Sequence, residues 1–404
     1  MIPVAPLVLA CLVALATPAH ARTLAEKLHR FIDTEAFPTS GEFIDPVTPL
    51  LQRIAIRGVD FPVTATASGF SYRFDFAAGA AERVQDSLGP VFAERPNTIG
   101  ERQLQLGVSY LYAELTDFDG DDFAEQLFFA GTRRAPFPPN PVFTAALAPD
   151  DFSLVSHVAA LSATYGISER WDANVLLPLV ATSLELGGVA SVRIEELGGE
   201  ASTSDHVLFD ESAVGVGDLL LRTKYRFLEH QEVQLASILA LRIPTGEEGD
   251  FHGLGDVILT PGLVASYPFR SHDLHANVGV DLNADDIERA RARYGIGLTI
   301  QPWQPIAFML DVLGSSSFVD DEFSIPAPAG VVFPQRFGLE DLIRSVGTTE
   351  VVAVVPRSDL VDLAIGLKAS LGNRAVVFAS AIVPLTDDGL RPAVVPAAGV
   401  SISF

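Results

Sequence analysis

The 404-residue sequence has a single cysteine, two methionines and two tryptophans. Cys11 lies in the apolar N-terminal stretch, so the rest of the chain offers no thiol for a disulfide, a nucleophile or a metal ligand. Basic residues are scarce too. Twenty-seven Lys and Arg stand against 51 Asp and Glu, and the net charge of −24 excludes nucleic acid as a partner, because its phosphates would be repelled. Beyond residue 21 there is no run of about 18 uncharged apolar residues, so the sequence predicts no transmembrane helix. Catalytic signatures are missing as well. There is no G-x-S-x-G elbow and no H-E-x-x-H, and the adjacent Ser156 and His157 point to opposite faces of a strand and form no dyad. In "DFDGDD" (117–122), Asp117, Asp119 and Asp121 alternate like the start of a calcium loop, but the glycine is misplaced and no distal Glu follows. The segment is expected to be a solvated acidic loop, and no cofactor or metal is expected.

Apolar residues are plentiful, at 48% with a mean hydropathy of +0.30. Residues 1–21 run apolar and end in Ala19-His20-Ala21, a small-x-small pattern that predicts a signal peptide cleaved before Arg22, although no Lys or Arg precedes it. From residue 102 onward, twelve segments alternate with period two. In "RQLQLGVSYLY", Leu104, Leu106, Val108, Tyr110 and Tyr112 oppose Gln103, Gln105, Gly107 and Ser109. The chain closes on "AAGVSISF", where Ala398, Val400, Ile402 and Phe404 share a face. A soluble sandwich would alternate in the same way. Three features favour a membrane barrel instead. Segments reach ten residues or more, against about 5–6 in globular strands. Tight turns alternate with long acidic links at 116–152, 187–213, 245–254, 283–289 and 314–359. Aromatics (Tyr165, Trp171, Tyr225, Phe227, Tyr267, Phe269, Trp303 and Phe404) gather at the tight-turn ends, as an interfacial girdle does.

The expected fold is therefore all-β: a transmembrane antiparallel up-and-down barrel of about twelve strands over 101–404, in the outer membrane of a Gram-negative bacterium. Residues 22–100 are expected to form a periplasmic or plugging segment with a short amphipathic helix at "TLAEKLHRFI", bearing Leu24, Leu28, Phe31 and Ile32 on one side. "GFSYRFDFA" (69–77) belongs either to that segment or to a fourteen-strand barrel. Outer-membrane lipid, lipopolysaccharide and the barrel-assembly machinery are the expected partners, with Phe404 as the assembly signal.

A charge facing lipid at mid-bilayer costs roughly 2–4 kcal/mol, so charged and polar residues on the strands must face the lumen. That assigns to the lumen, and to the path of a solute, Asp218, Arg222, Lys224, Arg226, Asp256, His275, Asn277, Asp281, Asn283, Arg291, Arg293, Asp311, Asp362 and Lys368. Their mixed signs are expected to pair across a narrow lumen. "GVGD" (215–218) and "GLGD" (253–256) echo each other. Asp218 and Asp256 are either rim residues pairing with an arginine or direct contacts to a solute. The link 314–359 is rich in Val and Phe, which predicts a packed lid.

"GVGDLLLRTKYRF", "LRIPTGEEGDFHGLGD", "SLGPVFAERPNTIGERQLQLGVSYLY" (87–112) and the terminal Phe resemble the outer-membrane barrel family associated with the meta pathway of phenol degradation, itself distantly similar to long-chain fatty-acid channels. The resemblance spans about residues 69–404. It implies a barrel passing small apolar or aromatic molecules. A surface structure or adhesin acting through its loops is the alternative, and a lipid-modifying enzyme is a third reading.

Overall fold

The computed structural model describes residues 22–32, 47–66, 72–75, 80–83, 88, 90–126, 129–134, 142–196, 199–230, 233–269, 272–303, 305–326, 331–332, 343–346, 350–372 and 374–404. Residues 1–21, where a signal peptide is expected, and the flanks of the 69–77 segment lie outside them. Twelve strands close a barrel: β1 (Leu104–Phe118), β2 (Val142–Ser168), β3 (Trp171–Glu196), β4 in two pieces (Gly199–Val216 and Leu219–His230), β5 (Val233–Ile243), β6 (Ile258–Phe269), β7 (His272–Asn283), β8 (Arg291–Trp303), β9 (Ile306–Ser317), β10 (Asp359–Leu371), β11 (Ala375–Pro384) and β12 (Val395–Ser403). Neighbours are antiparallel throughout, and β12 closes on β1 with Ile402 opposite Leu106 and Ala398 opposite Tyr110. Among the described residues no helix is long and apolar enough to cross a membrane.

Alternation writes the two faces of the wall. On β1 the outward Leu104, Leu106 and Val108 are exposed, whereas the inward Gln105, Leu111, Ala113 and Leu115 are buried. The short-turn aromatics all point outward, from Tyr165 and Trp171 to Trp303 and Phe404. Phe404 is tied by backbone bonds in both directions to Leu104, with N–H to O at 2.8 Å and the return bond at 3.2 Å, so its ring stands on the lipid face at the short-turn rim. Deleting Phe404, or replacing it with Asp, should lower the yield of folded, heat-modifiable barrel in membranes. Unchanged yield and gel mobility would remove the role assigned to it.

The acidic links at 116–152 and 187–213 are in large part strand rather than loop. β2 and β3 pair from Ser168/Trp171 up to Val142/Glu195, with register shifts only between Pro149 and Asp151 and between Gly166 and Ser168. The upper part of β3 pairs with the first piece of β4, up to Glu196 opposite Gly199, and its lower part with the second piece. Beyond the bilayer the outward face no longer needs to be apolar, so Glu185, Glu195, Glu200 and Asp210 sit on continuous ladders. Above Glu185, β3 continues about 35 Å along the strand. The inward face of this projecting sheet remains apolar, with Leu147, Phe152, Leu184, Leu186, Ala190, Val192 and Phe209 buried.

Two helices cover that face: α1 (Leu24–Phe31) and α2 (Val47–Gly58). A capping box starts α1, where Thr23 Oγ1 accepts from the Glu26 N–H and Glu26 Oε2 accepts from the Thr23 N–H, each at 3.2 Å. Leu24, Leu28, Phe31 and Ile32 are buried, and the Phe31 ring centroid lies 5.4 Å from that of Phe209. Tyr72–Asp75 pairs with Ala80–Arg83 in a separate two-stranded sheet, so the 69–77 segment adds no barrel strand. Within the 314–359 link, Asp321–Pro326, Ile343–Val346 and Glu350–Val355 form a three-stranded sheet. Its Ala353 and Val355 join the core built around α1 and α2, and Arg53 of α2 lies over the Phe323 ring at 5.3 Å.

Candidate functional site

An eight-stranded barrel is just filled by its own side chains, so a twelve-stranded one has room for more. Here the chain itself occupies that room. Residues 59–66 leave α2 at the long-loop mouth and descend into the lumen. Leu88 and residues 90–100 trace an arch that rises from the short-turn end and returns to it. Leu88 sits beside Gln301 low on β8, Phe92 and Ala93 reach Asp311 halfway up β9, and Ile99 comes back down to Asp172. The two pieces meet at mid-lumen, where the Ala65 N–H donates to Val91 O at 2.8 Å. At the foot of the arch, a Cβ on Gly166 would lie 1.7 Å from Gly100 O, so the close passage of the chain requires glycine there.

Glu94 is the keystone of the arch. Its carboxylate accepts from the Thr66 N–H and Thr66 Oγ1, both at 2.8 Å, and from Arg222 Nη1 and Lys224 Nζ, both at 3.4 Å. Asn277 locks the Glu94 backbone by donating to its O at 2.8 Å and accepting its N–H at 2.9 Å. Lys224 Nζ also donates to Thr66 Oγ1 and Arg95 O, and Arg222 donates to Thr64 O and Asn174 Oδ1. Lys368 Nζ donates to Leu88 O and Pro90 O. Higher in the lumen, Asp60 gathers Arg242 at 2.8 Å, Arg291 at 2.7 Å and Arg293 at 2.5 Å. Asp281 binds Arg293 at 2.5 Å and accepts from Thr260 Oγ1, while Asp362 pairs with Arg391.

The residues assigned to the lumen from the sequence do not all reach the plug: Asp256 and Asn283 meet at the long-loop rim and Arg226 lies at the short-turn rim, and the pairing of the rest differs from expectation. The lumen cations pair chiefly with Asp60, Glu94 and plug carbonyls, and only in part with the wall carboxylates Asp281 and Asp362. Asp311 accepts from backbone N–H groups of the arch, and His275 contacts Thr299 at 3.3 Å. Arg226 donates to Glu169 O at the short-turn rim. Sequence reasoning missed Asp60, Glu94, Arg242, Asp172 and Arg391. The signal for Glu94 was the run Arg222-Thr223-Lys224, whose inward cations demand a carboxylate that β4 does not supply.

The echoed Gly-x-Gly-Asp motifs pack against each other and their aspartates do different work. Asp218 accepts from the Gly246 and Leu254 N–H groups at 3.1 and 2.8 Å, and so holds the loop containing the second motif. A Cβ on Gly253 would stand 2.2 Å from Asp218 Oδ1. Asp256 instead pairs with Arg289 at 2.6 Å and accepts from Asn283 at 2.7 Å, a rim contact. His252, in the loop that Asp218 holds, is buried, and burial pushes its imidazole down to about 4. In "DFDGDD", Asp119 and Gly120 adopt φ of 50° and 88° in a turn where Asp119 Oδ1 accepts from the Gly389 N–H. No group of three metal-ligating side chains occurs among the described residues.

Among the described residues, three cavities bear on the plug and the mouth above it. One of about 230 Å³ lies at the long-loop mouth, walled by Ile54, Phe118, Val355 and Leu390. It shares Gly58 and Leu360 with a second, of about 240 Å³, inside the wall from β5 to β11. A third, of about 100 Å³, lies on the other side of Phe61-Pro62-Val63, which line both inner cavities. Apolar side chains dominate all three linings.

Residues 148–302 match the family model described as "Putative MetA-pathway of phenol degradation", and over this stretch the chain resembles that family, as its sequence motifs do. No curated protein matches the chain. Among solved structures, an outer membrane channel from Pseudomonas putida F1 is similar at 13% identity and a TM-score of 0.44, over 76% of this chain and 98% of that one. The translocator domain of the autotransporter NalP from Neisseria meningitidis aligns at 8% identity and a TM-score of 0.33, covering 76% and 89%. A FadL homologue from Pseudomonas aeruginosa aligns at 10% identity and 0.29, covering 85% and 98%.

Proposed function

We propose that this barrel is an outer-membrane channel for small apolar or aromatic solutes, closed at rest by its own N-terminal segment. The observation that carries this reading is the chain of apolar cavities from the long-loop mouth to the Phe61–Val63 partition. A barrel whose plug served only to seal it would be expected to close-pack, as protein interiors do. This one instead leaves solute-sized space beside a segment held by hydrogen bonds and ion pairs. Such a segment is able to shift, because those contacts can be exchanged for water one at a time. The acidic projecting sheet faces the cell exterior in this reading, where divalent ions bridge it to lipopolysaccharide. Proteoliposomes containing the protein should take up toluene or benzyl alcohol faster than protein-free vesicles, with no gain for glucose.

A second reading, a non-transporting surface barrel, draws on the projecting β2–β3–β4 sheet and the filled lumen. It requires that no solute in that comparison cross faster than through the bilayer. That result would displace the channel.

A further inference from the structure

The cavity of about 240 Å³ is not uniformly apolar, and the way it departs from uniformity specifies a ligand. Phe61, Pro62, Phe92, Leu313 and Ile382 supply a slot for a flat apolar body. An engineered cavity of about 150 Å³ lined by apolar side chains is enough for benzene, so this one takes a ring with a substituent. Two groups on its wall lack partners: the Ser315 hydroxyl and Arg391 Nε are buried without a hydrogen bond. Unpaired buried donors are costly, and a ligand oxygen relieves that cost where a hydrocarbon does not.

The charges on the wall decide the rest. Three arginines line the cavity (Arg291, Arg293 and Arg391) together with three carboxylates (Asp60, Glu94 and Asp362). Each of these arginines already binds a carboxylate: Arg291 and Arg293 bind Asp60, and Arg391 binds Asp362. None of the three is free of a carboxylate, so an anionic ligand would have to compete with Asp60, Asp281 or Asp362 for its cation, whereas a neutral one would not.

We propose that this cavity is a binding subsite for an uncharged monoaromatic compound carrying one hydroxyl or carbonyl oxygen, with the ring on Phe61 and Phe92 and the oxygen at Ser315 and Arg391. The proposal rests on the channel reading, and it narrows the solute from apolar in general to apolar with one neutral oxygen. Access runs from the mouth cavity past Gly58 and Leu360.

Calorimetry on the full chain in nanodiscs, corrected for partition into empty nanodiscs, tests it with benzyl alcohol, toluene and benzoate. One net hydrogen bond of about 1 kcal/mol predicts that benzyl alcohol binds about fivefold more tightly than toluene, with benzoate the weakest. Ser315→Ala should bring benzyl alcohol down to the toluene level and leave toluene unchanged. Leu313→Phe, which fills the slot, should weaken both. Equal affinities in the wild-type chain, a preference that survives Ser315→Ala, or tightest binding of benzoate would each overturn the subsite. Flux of toluene into proteoliposomes is the separate readout of the channel. If flux persists without the binding preference, the subsite alone is wrong. If binding is as expected and no solute crosses, the channel is wrong and the subsite stands.

Discussion

Replacing Glu94 with alanine will unlatch the arch without unfolding the barrel. Lys224 has a fully buried side chain and Arg222 one that is 4% exposed, and both take Glu94 as their carboxylate. Removing one member of a buried ion pair strands the other charge and costs about 3–5 kcal/mol. The two cations keep Thr64 O, Arg95 O and Asn174 Oδ1, so the lower end of that range, about 3 kcal/mol, is the expected effect. That corresponds to roughly a hundredfold rise in the undocked population of the arch. The wall is held by twelve continuous ladders that do not involve Glu94. Heat-modifiable mobility should therefore persist, while hydrogen exchange across 88–100 accelerates and planar bilayers show openings that the wild-type chain lacks. Charge and not shape is responsible, so Glu94→Leu combined with Arg222→Met and Lys224→Met should restore protection. Unchanged exchange in Glu94→Ala would show that the arch is held by its backbone contacts alone.

The wall was legible in the sequence because lipid dictates it. Every outward position from Leu104 to Phe404 that meets the bilayer has to be apolar or an interfacial aromatic, and every charge has to turn inward. Period two therefore revealed both the strands and the orientation of residues such as Arg222 and Asp311. The same logic explains where the reading failed. Above Glu185 the outer face meets water and no longer has to be apolar, and a strand with Glu200 and Asp210 outward looks like an acidic loop. Only the inward half, Leu186, Ala190 and Val192, kept the signal.

The plug was illegible for a different reason. Residues 59–66 and 88–100 follow no period, and much of what holds them is backbone. Lys368 binds Leu88 O and Pro90 O, Lys224 binds Arg95 O, Arg222 binds Thr64 O, and Asp311 receives the Phe92 and Ala93 N–H groups. Side-chain patterns carry no trace of such bonds. The inward cations Arg222 and Lys224 are visible on β4, but nothing in the sequence names Glu94 as the carboxylate they take.

The same architecture separates two deletions that the sequence alone would rank the other way. The Val-rich link 314–359 reads as the lid, and its removal is the intuitive way to open the barrel. Its described strands do cover the mouth, with Ala353 and Val355 in the core around α2. Below them, however, Asp60 and Glu94 still tie the chain to the walls. Deleting 321–355 should therefore expose the mouth cavity and leave conductance near the wild-type level. Deleting 22–99 should open a pore. The loss takes away two lumen carboxylates, Asp60 and Glu94, and one cation, Arg95. Arg222, Lys224, Arg242 and Lys368 are left facing water without their plug partners. The remaining balance inside the wall is positive, so the open pore should prefer chloride over potassium even though the whole chain is strongly acidic. That preference should weaken as ionic strength rises and the Debye length falls from about 10 Å at 0.1 M to about 3 Å at 1 M. Reversal potentials under a potassium chloride gradient read the sign directly. A cation-preferring pore would mean that the acidic rim, and not the lumen, sets selectivity. A large conductance after deletion of 321–355 alone would mean that the lid and not the plug closes the barrel.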